Sequence, residues 1–318
     1  MDDVDRRSTT QSVEPGSMRI LVCIDGSPDA DRALAWALHE ASLHSARLTV
    51  LHAFRSREFA GPFARDASLD KERAEALAGV EQALARLTGD TRPPDVEIET
   101  AAVMGRGAAD AILRHRGEAD LIVVGSRGLG GFPGLLLGSV SQQVAAHADV
   151  PVAVTPRGGE TPVTLEDDDT RSVVVGVDGS PTSMRALRWA VDEARVRSVP
   201  LTAIYVYRSL RTGAPFDAFV SIEREQLDQL EAQAAQTARA KLDSLLAGAA
   251  DYEGVQLDGR VIAGSPAKTL TFDAADETTL LVVGSRGHGG FAGLLLGSVS
   301  QQCLHHARGP VVVTPAER

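Results

Sequence analysis

Residues 125 to 143 read GSRGLGGFPGLLLGSVSQQ and residues 284 to 302 read GSRGHGGFAGLLLGSVSQQ, so only two of nineteen positions differ. Each copy carries the spacing G-x2-G-x9-G-S: Gly125, Gly128, Gly138 and Ser139 in the first, Gly284, Gly287, Gly297 and Ser298 in the second. Glycines at these places permit positive φ angles and close backbone approach, so that successive N–H groups can curl around an anion. Gly138-Ser139 and Gly297-Ser298 open helices whose free N–H groups and dipole favour phosphate by roughly 0.3 to 2 kcal/mol. Ser139, Ser141, Ser298 and Ser300 add hydroxyl donors. Arg127 and Arg286 either add a charge-assisted bond of about 1.5 to 3 kcal/mol or stand in solvent. A plain strand-to-helix turn would not require nineteen residues retained across two halves that otherwise differ widely.

Other residues fall at the same edge of the expected sheets. Asp25 and Asp178 end their strands in the shared phrase D-G-S-P. Each carboxylate could accept from an adenine amine or hold a cation's water, or could simply belong to a helix-entry turn. Ala53 and Val206 end second strands, where their backbone could border a base. Gly105 and Gly264 follow third strands, where they could admit a ribose or turn the chain into a helix. Pro266 against Gly107 makes the two rims differ in stiffness. Phe63 and Phe216, in loops 55 to 67 and 208 to 220, read either as lids over a base or as satellite hydrophobic contacts.

Several chemistries are absent. There is no G-x4-G-K-[ST] loop with its phosphate-activating lysine, and no G-x-G-x-x-G after a first strand with an acid ending the second. These gaps count against a conventional NTPase and against an NAD or FAD dehydrogenase. The histidines form no metal pattern; His305 and His306 adjoin on a helix and point to different faces. Cys23 and Cys303 read as small buried hydrophobes. No general base announces itself.

The chain has 318 residues, which with the internal repeat predicts two domains. Aromatics are only 4%, so the core is built from Val, Leu, Ile and Ala, as in strands covered on both faces. The formal charge of −11 argues against nonspecific nucleic-acid or anionic-membrane binding, and means that a polyanion must be attracted locally. No apolar run reaches membrane-spanning length and the first seventeen residues lack a hydrophobic signal core, so the expectation is a cytoplasmic protein with a disordered tail at 1–17.

Strands at RILVCID, LTVLHAF, VEIETAAV, DLIVVG and PVAVT alternate with amphipathic helices, one opened by Ser27 and Pro28. This alternation predicts a doubly wound parallel sheet of five strands in each half, 18–157 and 172–318, joined by a polar linker at 158–171. The repeat runs at an offset of 153 through the second strand and 159 from the third. The six extra residues are expected in the Ala-, Gln- and Glu-rich helix near 223 to 248. Ligands in such sheets lie beyond the carboxyl ends of the strands, where strand order reverses, giving one crevice per half.

With its G-x2-G-x9-G-[ST] motif complete in both halves and its strand-ending Asp residues, the chain resembles the tandem universal stress proteins, the two-domain form common in actinobacteria. The resemblance covers 18 to 157 and 172 to 316. It implies an adenine nucleotide alpha hydrolase-like fold of strand order 3-2-1-4-5, and dimers or pseudo-dimers built through the last strands. It also implies ATP, with Mg2+, at Asp25, Ala53, Gly105, Gly125, Gly128, Gly138, Ser139 and Val140, and at Asp178, Val206, Gly264, Gly284, Gly287, Gly297, Ser298 and Val299. Gly107 departs from the G-x-P turn, which touches only local geometry. The function so implied is a nucleotide-binding stress-response regulator, a homodimer acting on an unknown protein partner; the rival is a slow ATPase or phosphotransferase.

Overall fold

In a computed structural model, residues 18–54, 65–89, 95–129, 137–157, 170–209, 224–249, 251–288 and 295–316 are described. The 1–17 tail, Phe63, Phe216 and most of the 158–171 linker lie outside them.

Runs of Val, Leu and Ile bounded by polar turns form ten strands. In the first half they are β1 (Arg19–Ile24), β2 (Arg47–Phe54), β3 (Ile98–Met104), β4 (Leu121–Gly125) and β5 (Val152–Thr155). In the second they are β6 (Ser172–Gly176), β7 (Leu201–Tyr207), β8 (Leu257–Ala263), β9 (Thr279–Gly284) and β10 (Val311–Thr314). Central strands β4 and β5 are buried at every residue, as a sheet covered on both faces requires.

Helices α1 (Pro28–Leu43), α2 (Arg65–Thr88), α3 (Ala108–His115) and α4 (Ser139–His147) connect the first five strands. Helices α5 (Pro181–Arg197), α6 (Arg224–Ala247), the short α7 (Pro266–Lys268) and α8 (Ser298–His306) serve the second five. The expected caps are present: Ser27 Oγ accepts from Ala30 N at 3.2 Å, and Ser180 Oγ from Ser183 N at 3.2 Å, each ahead of a proline. Helices α2 and α6 are both 24 residues long and start 159 apart. The offset has therefore already reached 159 at Arg224, so the six extra residues fall before the described part of this helix and not within it.

Strand order is β3-β2-β1-β4-β5-β10-β9-β6-β7-β8. Each half thus has the order 3-2-1-4-5, and the halves join edge to edge, because β5 and β10 pair antiparallel with Ala153 opposite Val312. Those two residues are equivalent under the 159-residue offset, so a pseudo-two-fold axis passes through their pair. The pairing implied for the last strands is made within one chain.

The axis puts equivalent helices on the same face. One buried cluster runs from Leu34 and Leu84 through Ala153 and Val312 to Leu187 and Leu242, covered by α1, α2, α5 and α6. The other, including Ile112, Val144, Leu270 and Cys303, lies under α3, α4, α7 and α8. Cys23 and Cys303 are buried free thiols, and burial pushes the Cys303 thiol up to about 12. They behave as the small hydrophobes expected.

Near the axis, α1 and α5 bring together four ionisable side chains. Arg197 Nη2 pairs with Glu40 Oε1, and Arg197 Nε with Glu193 Oε1 at 2.5 Å. His44 Nε2 lies 3.1 Å from Glu193 Oε2. Burial lowers the Arg197 guanidinium to about 10, and its charge stands 6.0 Å from the Trp36 ring centre. Glu40 and Glu193 are repeat equivalents, as are His44 and Arg197, so E-x3-H meets E-x3-R across the axis.

The seam predicts a strong response to charge. Val312 is fully buried at the junction of both halves. Val312→Asp should lower the unfolding free energy by at least about 3 kcal/mol, read as a shifted urea midpoint. A midpoint within error of the parent would mean the strands do not pair as described.

Candidate functional site

The site grows from the first turn of α1 and α5 and the chain leaving β4 and β9. A Cβ on Gly125 would stand 2.6 Å from the backbone oxygen of Asp29, and one on Gly284 would stand 2.8 Å from the backbone of Thr182. These glycines let a helix start lie directly on a strand end. Asp29 Oδ2 accepts the Ser126 hydroxyl at 2.9 Å in the first half, whereas in the second the Thr182 hydroxyl donates to the Arg286 carbonyl.

The strand-ending carboxylates tie that corner together. Asp25 accepts from Ser27 N at 3.0 Å through Oδ1 and from Leu129 N at 2.8 Å through Oδ2. Asp178 accepts likewise from Ser180 N at 2.9 Å and His288 N at 3.0 Å. Both oxygens span a tight turn, in which Gly26 (φ 83°) and Gly179 (φ 86°) take the left-handed conformation. Burial pushes the Asp178 carboxyl up, but the hydrogen bonds from Ser180, Ser183 and His288 outweigh it and hold the group below the usual carboxylate range.

Gly128 and Gly287 are glycine for this reason. A Cβ would stand 2.2 Å from Asp25 Oδ2 and 2.5 Å from Asp178 Oδ2. The expectation of positive φ in this loop does not hold at Gly125, Gly128, Gly138 or their counterparts. What selects glycine there is close contact. Burial also pushes the neighbouring His52 imidazole down, while the charge of Asp25 pulls it partly back.

At the other end of the loop, Gly138 and Gly297 are the N-caps of α4 and α8 and carry no side chain to cap them. Ser141 donates its hydroxyl to the Gly125 carbonyl and Ser300 to the Gly284 carbonyl, both at 2.6 Å. These two serines are buried, fasten the loop to the strand end and line the clefts. Ser139 and Ser298 are exposed. The first N–H groups of both helices are left without intrahelical acceptors at the mouth of a cleft.

A cavity of about 190 Å3 in the first half is lined by Asp25, Ala53, Gly125, Arg127, Gly128, Gly138, Ser139, Val140 and Ser141. Its counterpart, about 480 Å3, is lined by Asp178, Val206, Gly284, Arg286, Gly287, Gly297, Ser298, Val299 and Ser300. Gly105 and Gly264 line neither. A Cβ on Gly105 would meet that of Ala111 at 2.6 Å, so this glycine serves the turn into α3.

The cleft floor was not foreseen. Cys23, Ile112 and Val124 form it in the first half, and Gly176, Leu270 and Val283 in the second. Leu270 Cδ1 fills the place where a Cβ on Gly176 would lie, 2.7 Å away. A strand glycine thus leaves room for the Leu270 side chain. Here Pro266 starts α7, which runs into a π turn at Thr269–Asp273 in place of the regular α3. An i, i+4 pair such as Ala108 and Ile112 on the helix after β3 was the available signal.

The cleft is apolar below, backbone N–H on one wall and acidic at one corner. Arg127 Nε is buried at its rim with no hydrogen-bond acceptor among the described residues. An anionic ligand with a flat apolar part suits this donor set.

Fold and clefts together define a tandem doubly wound α/β protein with one cleft at the strand ends of each half. The model of the Universal stress protein family matches residues 16–156 and 170–315. A universal stress protein of Mycolicibacterium smegmatis is 34% identical over 92% of this chain and 96% of its own length. Another, of Mycobacterium tuberculosis, is 34% identical over 93% and 96%. The chain belongs to the universal stress protein family. Among solved structures, a universal stress protein from Archaeoglobus fulgidus shares the fold with a TM-score of 0.58 at 20% identity, covering 94% of this chain and 97% of that one. Among the described residues, no helix is long and apolar enough to cross a membrane.

The depressed Asp178 carboxyl gives a pH test. A group held lower in the folded state stabilises above its unfolded pKa of about 3.9 and loses that contribution as pH falls through the folded value. The stability gap between the parent and Asp178→Asn should be full near pH 6 and narrow below about pH 4. Parallel acid limbs in denaturant titrations of the two proteins would contradict the clamp.

Proposed function

We propose that this universal stress protein is an ATP-binding stress-response regulator with one nucleotide site per half. The observation that carries it is the pair of helix starts, Gly138-Ser139 and Gly297-Ser298, left uncapped at the mouth of a cleft with an apolar floor. Phosphates would lie against the N–H groups of Ser139 and Val140, or Ser298 and Val299, with the adenine toward Ala53 or Val206. Asp25 and Asp178 are the carboxylates among the lining residues, and each could hold a water of Mg2+, which keeps much of its hydration and takes few protein ligands.

Occupancy would change stability or the surface offered to a protein partner, in the cytoplasm. Because β5 and β10 already pair within the chain, a homodimer would have to use another surface. The lining residues contain no lysine or histidine. Slow ATP hydrolysis is the second outcome of the same experiment, read as phosphate release.

Calorimetry with ATP and Mg2+ should find two sites per chain, and mass spectrometry of denatured protein should find copurified adenylate. Ligand at 100 times its dissociation constant should stabilise the fold by about 2.7 kcal/mol. No heat and no stabilisation at millimolar ATP would end the proposal.

Ser139→Asp and Ser298→Asp separate fold from function. A carboxylate in the first turn of a helix is stabilising by about 0.3 to 1 kcal/mol. The same charge repels phosphate, so each variant should keep or raise its melting temperature while losing one nucleotide, its affinity falling by roughly tenfold or more. Unchanged affinity in both variants would place the ligand elsewhere.

A further inference from the structure

We propose that Glu40, His44 and Glu193 form a divalent transition-metal site, of the zinc class, where the two halves of the chain meet. One donor atom from each of Glu40, His44 and Glu193 lies within 4.8 Å of the other two. His44 Nε2 stands 3.1 Å from Glu193 Oε2 and 3.6 Å from Glu40 Oε2. Tetrahedral zinc with ligands at about 2.1 Å needs donor atoms about 3.4 Å apart, so small side-chain movements would seat the ion.

Charge and burial point the same way. The Glu40 side chain is fully buried and that of Glu193 is 3% exposed, and among the described residues Arg197 is the fixed cation paired with both. Arg197 takes the Oε1 atom of each glutamate, leaving both Oε2 atoms turned toward His44. Glu40 Oε2 accepts no hydrogen bond among the described residues, and at 3.6 Å His44 is beyond hydrogen-bond reach. A buried carboxylate oxygen without a donor is costly, and a cation at the convergence point would satisfy it.

The repeat sharpens the case. In E-x3-H against E-x3-R, the second half supplies a permanent cation and the first supplies an imidazole, which can ligate a metal. One nitrogen and two oxygens suit zinc or cobalt better than magnesium or calcium, which prefer all-oxygen shells. Arg197 would then be the outer partner that orients both ligating carboxylates. The His44 side chain is 16% exposed, which leaves a way in for the ion and a fourth position for water.

The test is titration of the full-length, metal-free, untagged chain with Co2+ alone. One Co2+ per chain should bind with the visible absorption of a four-coordinate site, and Zn2+ should bleach it. His44→Arg copies the pairing already made by Arg197, so it should fold while weakening Co2+ by more than about 100-fold, the upper end of what losing an outer partner brings. Glu193→Gln, nearly isosteric, should do the same if His44→Arg fails to fold. A parent chain that binds no Co2+, or binding that survives in the variant that folds, would overturn the site.

Discussion

Each cleft depends on a carboxylate that holds two backbone segments within hydrogen-bond reach of one another. Asp25 bridges the start of α1 to the loop after β4, and Asp178 does the same for α5 and β9. The bridge dictates Gly128 and Gly287, because any side chain would enter the space of the carboxylate. It also dictates where the following helix begins, since the loop returns through Gly138 N to the Ser126 carbonyl at 2.7 Å and through Gly297 N to the Ser285 carbonyl at 2.7 Å. An uncapped helix start facing the cleft is thus a consequence of the clamp.

Much of this was legible because it rests on local chemistry repeated twice. The D-G-S-P phrase names a turn that needs a left-handed glycine, a serine cap and a proline at the helix start, and Gly26, Ser27 and Pro28 take those roles. The alternation of strands and helices likewise named a doubly wound parallel sheet in each half, while its strand order was what the family resemblance implied. Less legible was the reason for each glycine: a glycine letter reports the absence of a Cβ without saying what occupies the space. At Gly125 it is a helix backbone, at Gly128 a carboxylate and at Gly105 a neighbouring alanine. Nor can a pattern of serines show that a carbonyl lies 2.6 Å from the hydroxyls of Ser141 and Ser300.

The junction of the halves was harder to see for a different reason. Pairing of β5 with β10 joins residues 159 apart in sequence, and nothing in either strand's composition names its partner. The cluster of Glu40, His44, Glu193 and Arg197 did leave a trace, in an acid followed four residues later by a base at equivalent places in both halves. On one helix that pattern is an ordinary i, i+4 pair. Only the pseudo-two-fold axis turns two such pairs into one buried cluster.

The same axis bears on how two nearly identical motifs can come to differ in use. Helix α1 carries clamp and cap at one end and Glu40 and His44 at the other, and α5 repeats the arrangement with Glu193 and Arg197. The clefts are therefore joined through two rigid helices whose far ends share charges, in addition to the sheet itself. Around that symmetric frame the floors diverge: Cys23 with Ile112 on one side, Gly176 with Leu270 on the other. Isoleucine and leucine have equal volume, so the floors differ in which position after the third strand reaches down and in the size of the strand residue that it meets. Drift of this kind leaves the backbone clamp untouched and reshapes only the apolar surface below it. Differences between the two sites should accordingly lie in what rests on the floor, while the wall of backbone N–H groups remains common to both.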